Sequence, residues 1–245
     1  MKRVDWETVL AQTDFIIMSM LGKSLVGLVV LVAVLNAVFL PITGFEPETA
    51  KNLEAFFGVT YTLLAALLLT GIADEIGSGQ AMIHLVQPIT RREYIAAWLL
   101  AGPALLGVSY VIALLVPAVV LSPRMITNPA VYEPALYGLG ELVYIALITL
   151  LASLVLRNKS RAVFAVIAFM FLIPAIVGIM AAIVSEALGV QISDEAMTVF
   201  ISIFHPVVAM FDNYGSVRAF GLIYPWAASL LLVLIILRYI DLVEV

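Results

Sequence analysis

Two histidines, His84 and His205, and no cysteine limit the covalent and metal chemistry open to this chain. Without thiols there is no disulfide framework, no thiolate metal site and no cysteine nucleophile. No H-E-x-x-H pair stands on a helix, and no Gly-x-Ser-x-Gly elbow occurs. Gly77-Ser78-Gly79 lacks the lysine that closes a phosphate loop. The residue types therefore predict a non-enzyme, without a nucleotide-binding or bond-cutting motif of its own. His84 reads as a solvated loop residue, and His205 as one that caps or packs a broken helix. The scattered methionines read as ordinary packing residues.

The remaining chemistry depends on what surrounds it, and here the solvent is lipid. Apolar residues make up 64% of the 245 and charged ones 12%. A soluble domain carries about 25% charged residues and about 45–50% apolar ones. The excess exceeds what one buried core can absorb. In such a chain an acid inside a helix is costly and often functional. Glu141 falls inside an apolar run near its outer end. It is either a substrate-path residue or, with the boundary moved inward, a headgroup residue. Asn36, in another apolar run, is a second candidate for a cavity lining. Pro103, Pro117 and Pro174 bend their helices for the same cavity or simply for packing.

A crossing takes roughly 20 largely apolar residues at about 1.5 Å each. Six segments qualify: Leu21–Leu40, Phe56–Ile72, Tyr94–Leu121, Ala135–Leu156, Ala162–Ala187 and Leu222–Ile240. With six crossings, nine basic residues share one side: Lys2, Arg3, Lys23, Arg91, Arg92, Arg157, Lys159, Arg161 and Arg238. Lys51, Arg124 and Arg218 fall on the other. This positive-inside bias predicts a multi-pass cell-membrane protein with both termini cytoplasmic. Acids interrupt the N-terminal stretch at Asp5, Glu7 and Asp14, so it does not read as a cleaved signal peptide. The net charge of −5, without a basic block, gives no sign of nucleic-acid binding.

Two apolar segments are expected not to span. Val4–Leu21 places Trp6, Val9, Leu10, Ile16, Ile17 and Met20 near one helical face, with Asp5, Thr8, Gln12 and Asp14 opposite. That pattern predicts an amphipathic helix over 1–20 lying in the cytoplasmic interface. Val199–Phe211 is too short to cross and is broken at Pro206. It predicts a re-entrant or broken segment within 188–221, on the outer side, before the last helix. The expected fold is thus an all-α membrane protein: six transmembrane helices, one interface helix and one broken outer segment, in a single domain of residues 1–245.

The cytoplasmic loop over 74–93 carries the most information. It opens with Asp74 and Glu75, continues through Gly77 and Gly79 into a short helix-capable run, and turns at Pro88. Thr90 stands three residues before Glu93, the spacing of a capping box for the third span. Arg91 and Arg92 sit at the membrane surface. On physics alone this is either a lever for a cytoplasmic partner or a plain connection.

The pattern Glu75-x3-Gly79 … Leu85-x2-Pro88-Ile89-Thr90-Arg91-x-Glu93-Tyr94 resembles the segment before the third span in permease subunits of ABC-2 type transporters. The resemblance extends to the six spans, the N-terminal interface helix and the broken outer segment. Gln80 departs from the threonine often found there. The resemblance implies a permease subunit of an exporter, forming the substrate path. Asp74, Glu75, Gly77, Gly79, Pro88, Thr90, Arg91, Arg92 and Glu93 would then be ATPase-coupling positions. It further implies partners: two copies of an ABC ATPase that bind ATP and Mg, and a second permease copy, identical or not. No cofactor is expected in this chain itself. The alternatives are an ion-coupled carrier or channel working without ATP, and a non-transporting membrane scaffold.

Overall fold

The computed structural model describes residues 5–20, 23–42, 46–78, 90–121, 129–189 and 192–242. Among these residues every regular element is helical. Six helical stretches are long and apolar enough to cross a membrane: Ser24–Ile42, Glu48–Gly77, Arg91–Leu121, Tyr132–Leu156, Lys159–Leu188 and Gly215–Tyr239. The elements run α1 (Trp6–Met20), α2 (Lys23–Ile42), α3 (Pro47–Leu69), α4 (Gly71–Gly77), α5 (Arg91–Leu121) and α6 (Pro129–Leu156). Then follow α7 (Lys159–Ile167), a π-helical stretch (Ala168–Leu172), α8 (Ile173–Leu188), α9 (Asp194–Ser202), a 3-10 stretch (Pro206–Phe211) and α10 (Gly215–Leu242).

The number of long apolar helices is the six expected, but two boundaries move. The second stretch starts at Glu48 rather than Phe56, so Lys51 and Glu54 lie within it. Lysine and glutamate made that turn look like loop, but both side chains find partners inside the fold. The last helix starts at Gly215 rather than Leu222, because Arg218 is paired and does not end it.

Lipid is as apolar as leucine, so close packing and small residues decide which helix lies at the centre. The fourth span is the most enclosed, with 61% of its apolar window buried, against 11% for the fifth. Its buried positions include Ala135, Gly138, Gly140, Ala146, Thr149 and Ser153, which let neighbours approach. α3, α5 and α10 all pack on α6. The fifth span keeps large side chains such as Ile179, Met180 and Ile183 turned outward.

α1 packs along α5. The face it buries differs from the one its apolar pattern predicts. Val9 and Ile16 are buried, but so are Gln12 and Thr13, whereas Trp6 and Leu10 are more than half exposed. Thr13 Oγ1 donates to the Val9 carbonyl at 2.8 Å, so its hydroxyl is bonded within the helix. The contact with α5 thus selects the 9–12–13–16 stripe and leaves Trp6 and Leu10 outward.

Candidate functional site

Polar residues gather in two places: near α1, called here the α1 face, and toward the opposite ends of the spans, the far face. At the α1 face the side chains hold the two ends of the 79–89 segment together. Thr90 and Glu93 form the capping box that their spacing predicts. The Thr90 N–H donates to Glu93 Oε2 at 2.7 Å, and the Glu93 N–H to Thr90 Oγ1 at 3.4 Å. Glu93 Oε1 accepts from the Asp5 N–H at 2.8 Å, which fastens the start of α1 to the start of α5. From the next residue, Tyr94 Oη donates to Glu75 Oε2 at 2.6 Å, joining α4 to α5.

Gly77 ends α4 against the backbone of Arg157, whose carbonyl occupies the place a Cβ would take. Arg157 itself has φ of 49°, the left-handed region. Asp74 and Arg91 are exposed, and Arg92 is half-buried. Gly79 and Pro88, with the helix-capable run and His84, lie outside the described residues. The structure thus brings Glu75, Thr90 and Glu93 into one clasp and places Gly77 against the neighbouring connection. Asp74 and Arg91 stand at its surface.

Toward the far face the cluster is deeper. Asn36 and Glu141, the two residues singled out as path candidates, are fully buried and lie inside their spans. They do not bond each other. Asn36 Nδ2 donates to Glu54 Oε1 at 2.9 Å and to the Leu114 carbonyl at 3.0 Å. Pro117 has no N–H for its own turn of α5, and it is in that turn that Leu114 takes the extra donor. Asn36 Oδ1 has no hydrogen-bond partner among the described residues. Glu54 is 2% exposed, and among the described residues no basic side chain forms an ion pair with it.

Glu141 reaches the broken segment instead. Its Oε2 accepts from the Val207 N–H at 3.1 Å, and its Oε1 lies 3.1 Å from His205 Nδ1. Pro206 begins the 3-10 stretch without an N–H, so Val207 supplies the first amide needing a partner, and Glu141 provides it. His205 Nε2 lies 2.6 Å from the Met170 carbonyl. Pro174 lacks the N–H that would meet Met170 in a regular helix, and the π-helical stretch occurs at that turn. A carbonyl can only accept, so His205 Nε2 carries a hydrogen. A neutral His205 then turns its Nδ1 lone pair toward Glu141. One proton suffices for that contact, either on the carboxyl or on the imidazole.

Burial alone would lower the pKa of His205. The hydrogen bond and charge of Glu141, with the Met170 carbonyl, outweigh it and hold the imidazole above its ordinary value.

Tyr110, from α5, lies between the two carboxylates. Its side chain is fully buried, and its hydroxyl has no hydrogen-bond partner among the described residues. A Cβ on Gly58 would stand 2.7 Å from that hydroxyl oxygen, and one on Gly138 closer still. Gly58 is one turn beyond Glu54, and Gly138 one turn before Glu141, so each shares a helix face with its acid. Tyr61 stacks edge-on against Tyr110 and pairs with Ser109 at 2.5 Å.

Nearer the far-face ends, Lys51 and Arg218 both pair with Glu133, joining α3, α6 and α10. Lys51 also donates to the Met210 carbonyl at 3.1 Å. Among the described residues no three carboxylates or imidazoles converge as a metal site requires. Sequence reasoning missed Glu54 and Tyr110. Glu54 stands three residues after Lys51 in one continuous helix, one face of which is buried. A comparison with protein-family models and curated proteins finds no match to this chain.

Proposed function

We propose that this chain is the membrane-spanning permease subunit of an ABC-2 type exporter, driven by a separate ATPase that docks on the 74–93 segment. The observation that carries the reading is the clasp at the α1 face. Tyr94 with Glu75, and Glu93 with Thr90 and Asp5, tie both ends of the segment to α1, α4 and α5. A push on a connection so fastened moves three helices together, whereas a slack connection would absorb it. Exposed Asp74 and Arg91 flank the segment as polar contacts for a partner.

On this reading the α1 face is cytoplasmic, with both termini. The excess of nine basic residues over three on the α1 side supports that orientation. α9 and the 3-10 stretch form the broken, re-entrant segment of the outer side. α1 lies in the interface, with exposed Trp6 and Leu10 against lipid. A second permease copy completes the transport unit, and ATP and Mg belong to the ATPase.

Purification of the chain from its native membrane, with identification and assay of what accompanies it, tests the reading. A stoichiometric ATPase whose activity falls in the folded Glu75→Ala/Arg91→Ala variant is the expected result. A pure chain without an ATPase, or unchanged ATPase coupling in that variant, overturns it.

A further inference from the structure

We propose that Glu54, Tyr110, Glu141 and His205 form a buried proton relay in the far-face half of the bundle, with a proton delivered by water as its ligand. The inference concerns residues remote from the 74–93 segment and stands whether or not an ATPase docks there.

Three observations point the same way. Glu54 and Glu141 are 2% and 1% exposed, and Glu54 is met by the neutral amide of Asn36. An ionised carboxylate at Glu54, so enclosed and without a basic partner among the described residues, costs far more than a neutral one. Next, Tyr110 packs a fully buried hydroxyl, without a hydrogen-bond partner among the described residues, between the helix faces that carry the two acids. A buried hydroxyl left unbonded is unfavourable, so a carboxyl that turns toward it gains a hydrogen bond. Finally, the Glu141–His205 contact is complete with one shared proton, because Met170 fixes the hydrogen on Nε2.

The groups facing these acids are few. α2 contributes Asn36, α3 contributes Tyr61, α5 contributes Tyr110 and Ser109, and the broken segment contributes His205 and the Val207 N–H. The nearby charged residues Lys51, Glu133 and Arg218 are engaged with one another.

The transfer conserves protons and moves no electron pair between molecules. A turn of either carboxyl brings Tyr110 within reach. Glu141 hands the proton of its shared contact to His205 Nδ1. The Tyr110 proton then passes to the vacated Glu141 oxygen as Glu54 gives its O–H proton to the Tyr110 oxygen. One O–H bond is lost at Glu54 and one N–H bond is gained at His205, while Tyr110 and Glu141 return to their starting forms. His205, 12% exposed, is the least buried member and the exit.

The test uses the full chain in phosphatidylcholine vesicles, followed by infrared spectroscopy of the carboxylic C=O stretch on transfer from water to deuterium oxide. The expected result is a protonated-carboxyl band that Glu54→Gln removes. In Tyr110→Phe the band should persist, but its deuterium exchange should slow by about tenfold or more. Tyr110→Phe gives up no hydrogen bond, so it keeps the test open if Glu54→Gln does not fold. A spectrum without a protonated-carboxyl band would overturn the relay. So would exchange in Tyr110→Phe at the wild-type rate.

Discussion

Glu93 near the α1 face and Glu141 toward the far face are buried almost equally, at 3% and 1% exposure. Their partners differ in kind. Glu93 accepts from two backbone amides, of Asp5 and Thr90, which neither titrate nor leave. Glu141 shares one backbone amide with one imidazole, and the imidazole can gain or lose a proton. Glu54 has an amide partner, and the Tyr110 hydroxyl, unbonded among the described residues, packs against Gly58 one turn along the same helix. The same side-chain chemistry therefore makes a fixed clasp at one end of the bundle and a titratable cluster at the other. What separates them is the partner, because burial is common to both.

The largest break in this comparison should come from Glu93→Ala. It strips two charge-assisted bonds and leaves two amides without their acceptor, costing about 2–3 kcal/mol. Thermal unfolding of the purified chain should show that loss, and a change within a few tenths of a kcal/mol would mean that Glu93 is no clasp. Next comes Gly138→Ala, whose new methyl collides with the Tyr110 hydroxyl and should cost about 1–3 kcal/mol.

Gly58→Ala sharpens the placement of that hydroxyl. In the wild type its Cβ meets the oxygen at 2.7 Å, but the next ring atom is 3.6 Å away, an ordinary contact. The substitution should therefore destabilise the wild type and be nearly neutral in a Tyr110→Phe background. Equal penalties in both backgrounds would move the hydroxyl elsewhere. Smallest is Tyr110→Phe alone. Removing a buried hydroxyl that has no partner among the described residues should stabilise the fold by up to about 1 kcal/mol, read in the same unfolding assay.

Much of the clasp was legible in the sequence because its key spacing is local. Thr90 and Glu93 are three residues apart, and a helix start turns that spacing into a reciprocal pair. The bond from Asp5 to Glu93 joins residues 88 apart in sequence, and no local pattern announces it. The six apolar stretches were readable for a different reason: lipid demands length and apolarity, and both are visible in one dimension. Glu54 was lost because Lys51 and Glu54 together look like the end of a loop. Only the packed structure shows Lys51 reaching Glu133 and Glu54 reaching Asn36. The stripe that α1 buries was not legible, since its partner is a neighbouring helix, which accepts the small polar Thr13 once its hydroxyl is bonded to Val9. His205 was legible as belonging to a helix break, but its two ring partners come from other elements, α6 and the π-helical stretch.

The contrast between fixed and titratable partners is tested most directly by the pH dependence of two unfolding penalties. The His205 pKa is raised in the fold above its ordinary value of 6.5. Its contribution is therefore fully present below about 6.5 and is lost as pH rises through the raised value. Above that value the imidazole is neutral and no longer adds its charge to the contact with Glu141. The penalty of Glu141→Gln should accordingly be larger at about pH 5.5 than at about pH 8.5, while that of Glu93→Gln should stay the same at both. A Glu141→Gln penalty that does not change with pH, or a Glu93→Gln penalty that does, would contradict the account.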